Sequence, residues 1–230
     1  MPRPDPIRND AAVVLWRRDL GERDRWAWLL TENHGKLSVR FGGVNRPTGK
    51  LKALSEPLVW GEYRLCFSAR APAARVIGGR IQSSFPGLRG DLARTLQALS
   101  ICEMVLRLTP ERSPSPEKYR LLCRALCMLD QGPSPWLEAA FGLRLLESAG
   151  FGLRDLPVWP AQRELWRFLH ETPLEALGLL PWSEEPAARI LQLVYDHVEA
   201  HAERPLRCRR VAASLRLRAA QIEQRETIPC

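Results

Sequence analysis

The densest cluster of chemically active side chains lies in the stretch GKLSVRFGGVNRPTGKLK, residues 35–52, which contains five basic residues and no acidic residue. Basic side chains on a strand and on a glycine-rich loop can lie close to a phosphate chain, and each phosphate that they neutralise releases counterions. The pattern predicts a salt-sensitive, sequence-independent site for a polyanion. The predicted contacts are Lys36, Arg40, Arg46, Lys50 and Lys52, and Arg17 and Arg18 at the end of the first predicted strand are further candidates.

The distribution of charge favours the same interpretation. Residues 1–80 contain 15 Lys and Arg against 8 Asp and Glu, so they carry +7 of the total net charge of +8. A local basic excess is typical of a surface that binds nucleic acid. An ordinary solvated surface is the alternative at this point.

Four tryptophans in the same region could stack on nucleobases, as aromatic side chains do in proteins that bind single strands. Trp26 and Trp28 share one face of a predicted strand, because residues two apart point the same way. Large aromatic side chains pack in cores more often, so a core role is the favoured interpretation for each tryptophan. The four residues are Trp16, Trp26, Trp28 and Trp60.

The sequence contains no catalytic constellation. The pair Gly49-Lys50 is followed by Leu51 and not by the Ser or Thr of a phosphate-binding loop. His197 and His201 have the spacing of half a zinc-protease motif, but Val198 occupies the position where that motif has glutamate. We therefore predict a protein that is not an enzyme and that needs no cofactor.

The six cysteines predict neither a metal site nor a disulfide framework. None forms a C-x-x-C pair, and Cys123 and Cys127 are the only two that are close in sequence. Their spacing places them on one helix face within an apolar string, where free cysteines usually pack as small hydrophobic residues. A metal site would need further ligands nearby, so no bound metal is predicted.

The first third of the chain has the pattern of β structure, because short apolar and aromatic runs alternate with Gly, Pro and Asn turn signals. In one run, alternation places Leu37, Val39 and Phe41 on one face and the basic residues on the other. Five such strands within about 75 residues are typical of a small closed barrel such as the OB-fold. The predicted strands cover residues 11–15, 25–31, 36–41, 58–67 and 75–81.

Beyond residue 81 the apolar residues recur at helical spacing, and Ser, Gly and Pro mark the helix ends. The predicted fold class is α+β, with an N-terminal small β-barrel (OB-fold) followed by an all-α helical domain. The predicted helices cover about residues 91–108, 116–131, 135–149, 161–170 and 184–203. The predicted domains are residues 1–82 for the barrel and 83–218 for the helices, with residues 219–230 as a candidate disordered tail.

No apolar run approaches the roughly 18 residues that a membrane-spanning helix needs. The first ten residues contain three prolines and no apolar segment, so they do not have the pattern of a signal peptide. A cytoplasmic, nucleoid-associated protein without a membrane partner is the expectation.

Three segments together resemble a known family. The run GERDRWAWLLTENHGKLSVRFGGVNRPTGKLKALSEPLVWGEYRL, residues 21–65, has a G-E-x-D step, a T-x-x-x-G-K segment and a basic loop before a strand. FGLRLLESAG, residues 141–150, is similar to an F-E-L-x-L-L-x-x-x-G helix, and RPLRCRR, residues 204–210, to a basic Pro-Leu step. In this order the segments resemble the RecO family of bacterial DNA-repair proteins, from residue 10 to about residue 215.

The resemblance implies binding of single- and double-stranded DNA, strand annealing, and loading of recombinase on gaps coated by single-strand-binding protein. It implies two protein partners, RecR and the acidic C-terminal tail of the single-strand-binding protein. Two alternatives stay open. One is a protein-interaction adaptor with an OB-like barrel and no direct DNA binding, and a weaker one is an enzyme acting on nucleic acid.

The chain departs from the family pattern in two places. Many RecO proteins carry a four-cysteine zinc module after the F-E-L-x-L-L helix, whereas residues 151–168 here contain no cysteine. This departure also predicts a protein without zinc. Gly142 stands where the family usually has an acidic residue.

The implied partner predicts a peptide site in the helical domain. A tail that is acidic and ends in Phe needs an apolar pocket for its ring and cations for its carboxylates. For the apolar residues, an ordinary core role is the alternative. The predicted contacts are Arg120, Arg124, Phe141, Arg144 and Leu145, with Leu146 beside them.

Overall fold

The computed structural model describes residues 6–46, 51–68, 71–152, 163–180, 183–202, 204–211 and 214–215. A group of strands is followed by a group of helices. The strands are β1 (Ile7–Leu20), β2 (Asp24–Thr31), β3 (Gly35–Phe41), β4 (Trp60–Cys66) and β5 (Ala74–Ser83). The helices are α1 (Pro86–Arg89), α2 (Leu92–Leu108), α3 (Pro116–Gln131), α4 (Leu137–Ser148), α5 (Arg163–Glu171) and α6 (Glu184–Ala202), with short 3-10 helices at Ala53–Ser55 and Leu174–Leu179. None of the helices in this described part is both long and apolar enough to cross a membrane.

The five strands close into a barrel in the order β1-β2-β3-β5-β4. Strands β3 and β5 pair in parallel, and the other neighbours pair antiparallel. The side chains of β3 alternate as predicted, since Leu37, Val39 and Phe41 are buried in the barrel core. The predicted fold class, an OB-like barrel followed by helices, is confirmed, although β1 is much longer than its predicted run.

The helix ends lie where the capping residues predict them. Asp91 accepts a hydrogen bond from the amide of Arg94 at 3.0 Å at the start of α2, and Ser115 accepts one from Lys118 at 3.4 Å at the start of α3. These side chains satisfy amides that have no partner within their helix. Gly150, with a φ of +85°, follows α4. The helix α1 is an additional short element that the sequence pattern did not indicate.

Two hydrophobic cores organise the molecule. One fills the barrel, and the other lies among the helices but also includes Val13, Leu15, Leu30 and Leu58 of the barrel. The outer face of β1 and β2 is therefore partly buried under the helices. Because the second core crosses the junction near Ser83, the division into domains at residue 82 stays a prediction.

Gly142 lets α4 and α6 approach closely. A Cβ added at this position would lie 2.3 Å from Cγ1 of Val194 and 3.4 Å from Sδ of Met104. A distance of 2.3 Å is a steric clash, so a larger side chain requires the Val194 side chain or one of the two helices to shift. Close helix packing thus accounts for glycine at the position where the family usually has an acidic residue.

Two residues predicted to bind a peptide lie in the helical core. Phe141 and Leu145 are both fully buried, because α4 packs against α2, α3, α5 and α6. A peptide ring could reach them only if these helices separated. The structure therefore corrects the prediction for Phe141 and Leu145, and their role is packing.

Candidate nucleic-acid interface

One row of side chains crosses the outer face of three neighbouring strands. Trp26 on β2 is the register partner of Arg18 on β1 and of Arg40 on β3. Directly paired residues project to the same face of a sheet, and here it is the face away from the barrel core. The two arginines are exposed and the tryptophan is half-buried. An aromatic ring between two cations can stack on a base while the cations contact phosphates.

A second row beside the first carries two more tryptophans. Trp16 pairs with Trp28, and Trp28 pairs with Ser38. A β-bulge between Val14 and Trp16 inserts one extra residue into β1. Regular alternation would direct Trp16 into the barrel like Val14, and the bulge turns it to the outer face instead. Both tryptophans are half-buried there.

An ion pair positions Arg40 at the edge of the first row. Its Nε donates to Oδ2 of Asp24 at 2.9 Å, and its Nη2 contacts the same oxygen. The other carboxylate oxygen accepts a hydrogen bond from the amide of Gly43 at 2.8 Å. The amide of Gly43, followed by Arg40, lowers the pKa of Asp24 below its ordinary value. The Arg40 side chain remains 55% exposed, so it is held in place but accessible.

The loop between β3 and β4 carries the next predicted cations. The amide of Arg46 donates to the carbonyl of Gly43 at 3.2 Å, and the loop backbone also bonds to the β1–β2 turn. These bonds place Arg46 at the same end of the barrel as Arg40. Arg46 and Lys52 are exposed, whereas Lys50 lies outside the described residues.

Arg17 belongs to a structural ion-pair network, whereas its neighbour Arg18 forms no ion pair within the described ranges of the chain. Its Nε donates to Oε2 of Glu56 at 3.1 Å. Buried Arg25 donates to the other oxygen of Glu56 at 2.7 Å and to Asp19 at 3.0 Å. Two cations and two carboxylates neutralise one another in this network. The structure therefore corrects the prediction that Arg17 is a free phosphate contact.

Lys36 is also not free to bind phosphate. It faces away from the barrel core, as alternation predicted, but α2 covers it and only 9% of its surface is exposed. Its Nζ donates to the carbonyl of Leu106 at 2.6 Å and lies 5.4 Å from the ring centre of Trp28. Burial lowers the pKa of Lys36 below its ordinary value. The structure corrects this prediction, and Lys36 connects the barrel to the helices.

The tryptophans lie in two places, the outer face of the barrel and the junction where the barrel contacts the helices. Trp16 and Trp26 contribute to the outer face, although the favoured sequence interpretation was a core role. Alternation along β2 is the sequence signal that could have placed the Trp26 ring outside the barrel, since its neighbour Ala27 is small and apolar and is buried in the barrel core. Trp60 is a junction residue, since its Nε1 donates to the hydroxyl of Tyr119 at 2.9 Å.

Both parts of the chain match known sequence families. Residues 7–70 match the family described as Recombination protein O N terminal, and residues 89–155 match Recombination protein O C terminal. The chain belongs to the RecO family. This finding confirms the resemblance that the sequence segments indicated.

Individual RecO proteins match over most of the chain. The DNA repair protein RecO of Bacillus subtilis is 24% identical over 233 residues, which cover 86% of this chain and 91% of that protein. The DNA repair protein RecO of Synechococcus elongatus is 29% identical over 244 residues, covering 85% and 90%. The RecO protein of Heliobacterium modesticaldum is 35% identical over 140 residues, covering 61% of this chain and 50% of that protein.

The RecO-type zinc module has no counterpart among the described residues, where no group of three or more His, Cys, Asp and Glu could hold a metal. The rings of His197 and His201 lie 4.6 Å apart in an edge-to-face arrangement. The His201 ring stacks on Phe151 at 3.7 Å. The two histidines therefore take part in ring packing beside the end of α4.

The predicted peptide contacts of this RecO chain include three arginines with different surroundings. Arg120 and Arg124 are exposed and one turn apart on α3, and Arg124 lies 3.7 Å from Glu175. Arg144 is half-buried, its Nη2 donates to the carbonyl of Leu169 at 2.9 Å, and burial lowers its pKa. Arg120 and Arg124 are thus surface cations, whereas Arg144 links α4 to the end of α5.

Proposed function

We propose that this chain is a non-enzymatic mediator of DNA repair and homologous recombination whose barrel binds DNA directly. Membership of the RecO family, a family of DNA repair proteins, supports the role in repair. The observation that carries the proposal of direct binding is the row Arg18, Trp26 and Arg40 on the outer face of the barrel.

The row suits an unpaired strand. A base can stack on Trp26 irrespective of its identity, because every base has an aromatic face. Arg18 and Arg40 can contact the phosphates on either side, and Arg46 and Lys52 extend the cationic path along the loop. Double-stranded DNA would use the cations without the stacking contact. Lys50, beyond the described residues, stays a predicted contact on the same loop.

Binding of this kind is compatible with strand annealing. Stacking and phosphate contacts leave the hydrogen-bonding edges of the bases free. A strand held on the barrel can therefore still pair with a complementary strand. The same property supports the proposed loading of recombinase on gaps coated by single-strand-binding protein.

The proposed protein partners are RecR and the acidic tail of the single-strand-binding protein. Exposed Arg120 and Arg124 on α3 support a separate site for the tail carboxylates. Because Phe141 and Leu145 are buried, the aromatic residue of the tail would need a different apolar contact. Replacing Arg120 and Arg124 by Ala should weaken binding of a tail peptide and leave DNA binding unchanged. If the variant and the unaltered protein bound the peptide with equal affinity, α3 would not be the site for the tail.

Fluorescence anisotropy with a labelled oligothymidylate tests direct DNA binding. Affinity should fall with salt, with a log–log slope of roughly −0.7 per phosphate contact on a single strand. Arg40→Gln should reduce the steepness of the slope by about 0.7, and Trp26→Ala should weaken binding about tenfold without changing the slope. Arg189→Gln on α6 is the matched control, since Arg189 is an exposed arginine far from the barrel in sequence and paired with Glu185.

The two alternatives predict different results. A protein-interaction adaptor would not bind the oligonucleotide at physiological salt, and an enzyme would cleave it with a divalent metal or hydrolyse ATP. If Arg189→Gln reduced affinity as much as Arg40→Gln, the binding would reflect net charge and not the proposed row.

A further inference from the structure

A cleft of about 420 Å³ lies between the barrel and the helices. Trp16, Pro57 and Leu58 form its barrel side, and Arg89 at the end of α1 and Leu99 on α2 form its helical side. Its volume is within the range of small-ligand sites, which is about 300–1,000 Å³. The cleft adjoins the second row of the interface, because Trp16 belongs to both.

Two backbone irregularities shape the barrel side of this cleft. One is the bulge that turns Trp16 outward. The other is Leu58, whose φ of +65° is in the left-handed region that a bulky residue rarely adopts. The amide of Leu58 donates to the carbonyl of Val14 at 2.9 Å, and the amide of Val14 donates to the carbonyl of Val59 at 3.0 Å. Strained backbone that neighbouring bonds hold in place is common at binding sites.

A fixed cation stands at the rim. The guanidinium of Arg89 donates to the carbonyl of Ser84 at 2.6 Å and to the carbonyl of Pro57 on the barrel side. No carboxylate among the described residues forms an ion pair with it. Two carbonyls therefore hold the guanidinium in place and leave its charge available to an anion. Arg17 and Glu56 also line the cleft, but they neutralise each other in an ion pair of 3.1 Å.

We propose that this cleft receives one unpaired nucleobase of a bound single strand. Trp16 stacks on the base, Leu99 covers its edge, and Arg89 contacts the adjoining phosphate. This inference rests on the proposed function, since it names an additional subsite for the same ligand. Continuity with the row of Trp16 and Trp28 favours a nucleic acid over an acidic peptide with an aromatic end.

The test compares single- and double-stranded DNA of equal length in the full chain. A paired base cannot enter the cleft without losing its stacking and its pairing in the duplex. Trp16→Ala should therefore weaken binding of oligothymidylate about tenfold and leave the affinity for duplex unchanged. Trp16→Phe should restore most of the loss. Arg89→Gln, a change at an exposed position, should weaken single-strand binding and reduce its salt slope by about 0.7.

A second measurement locates the base. A single abasic nucleotide, moved along the oligonucleotide, should weaken binding by the unaltered protein at one position, and the Trp16→Ala protein should be insensitive to it. Unchanged single-strand affinity in both variants would overturn the cleft proposal, as would an equal loss for single strands and duplex. Loss of acidic-peptide binding in Trp16→Ala, with DNA binding intact, would assign the cleft to a peptide and also overturn it. If the unaltered protein bound no DNA, the proposed function itself would fail, so the two failures are distinguishable.

Discussion

The side-chain nitrogen of Lys36 lies 2.6 Å from the carbonyl oxygen of Leu106, and this hydrogen bond connects β3 of the barrel to the last turn of α2. The last carbonyls of a helix have no partner within it, and they carry the negative end of the helix dipole. A lysine is therefore favourable at this point. The residue resembles a phosphate contact in the sequence, but in the structure it connects the barrel to the helices.

Replacing Lys36 by Glu should lower the free energy of unfolding by about 2–4 kcal/mol, because a carboxylate would be buried against a carbonyl without a donor. Urea denaturation measures this change. Lys36→Met keeps the apolar stem and should cost about 1 kcal/mol, with DNA affinity and salt slope unchanged. A reduced salt slope in Lys36→Met would show that Lys36 does contact DNA.

Replacing Asp24 by Asn should strengthen DNA binding about two- to fivefold at low salt, because it removes a negative charge beside Arg40. The Asn oxygen can still accept the hydrogen bond from Gly43, so the loop start should keep its conformation. Anisotropy at several salt concentrations checks the effect, which should shrink as ionic strength rises. Weaker binding would mean that the ion pair itself is needed to position Arg40.

Replacing Gly142 by Ala should lower the free energy of unfolding by about 1–3 kcal/mol, since the new Cβ would overlap with Val194. This loss of stability remains after the free energy that Ala gains over Gly by its higher helix propensity. In a double-mutant cycle, Val194→Ala should relieve part of the clash, and the double variant should be more stable than the two separate losses predict. Strictly additive losses would show that the contact does not limit the packing of α4 and α6.

Stability should decline at high pH, in part because of Cys123. Burial raises the pKa of its thiol from 9.0 to about 12. The unfolded chain loses this proton first, so the stabilisation is complete below pH 9 and is lost as the pH rises toward 12. Between pH 8 and pH 10 the free energy of unfolding should fall by about 1 kcal/mol less in the Cys123→Ala protein than in the unaltered protein. Parallel stability curves, from urea denaturation at each pH, would contradict this prediction.

Local patterns were sufficient to predict the five strands and the helices α2 to α6, because burial imposes a period of two on strands and a longer one on helices. They did not indicate the short helix α1 or the full length of β1. The alternation of β3 correctly placed Leu37 inside the barrel and Lys36 outside. It could not show that α2 covers the outer position, since the contact of Lys36 with Leu106 joins residues that are 70 positions apart.

The interface depends on strand register, which local sequence does not specify. Arg18, Trp26 and Arg40 form one row only after three strands have paired. Trp16 faces outward because of a bulge, and a bulge reverses the alternation from which facing is predicted. Phe141 has a suitable spacing both for a peptide contact and for a core position, and its burial depends on the four helices that pack around α4.

The apolar patch that the helices cover has a consequence for synthesis of the protein. Strand β5 ends at Ser83, so the barrel can close before α2 and α3 have left the ribosome. Another roughly 50 residues must be translated before both helices are available, which takes several seconds at about 5–20 residues per second. During this interval Val13, Leu15 and Leu30 remain open to water or to a chaperone on the nascent chain. A pause in translation within α2 would prolong this exposure, and faster synthesis of this segment would shorten it.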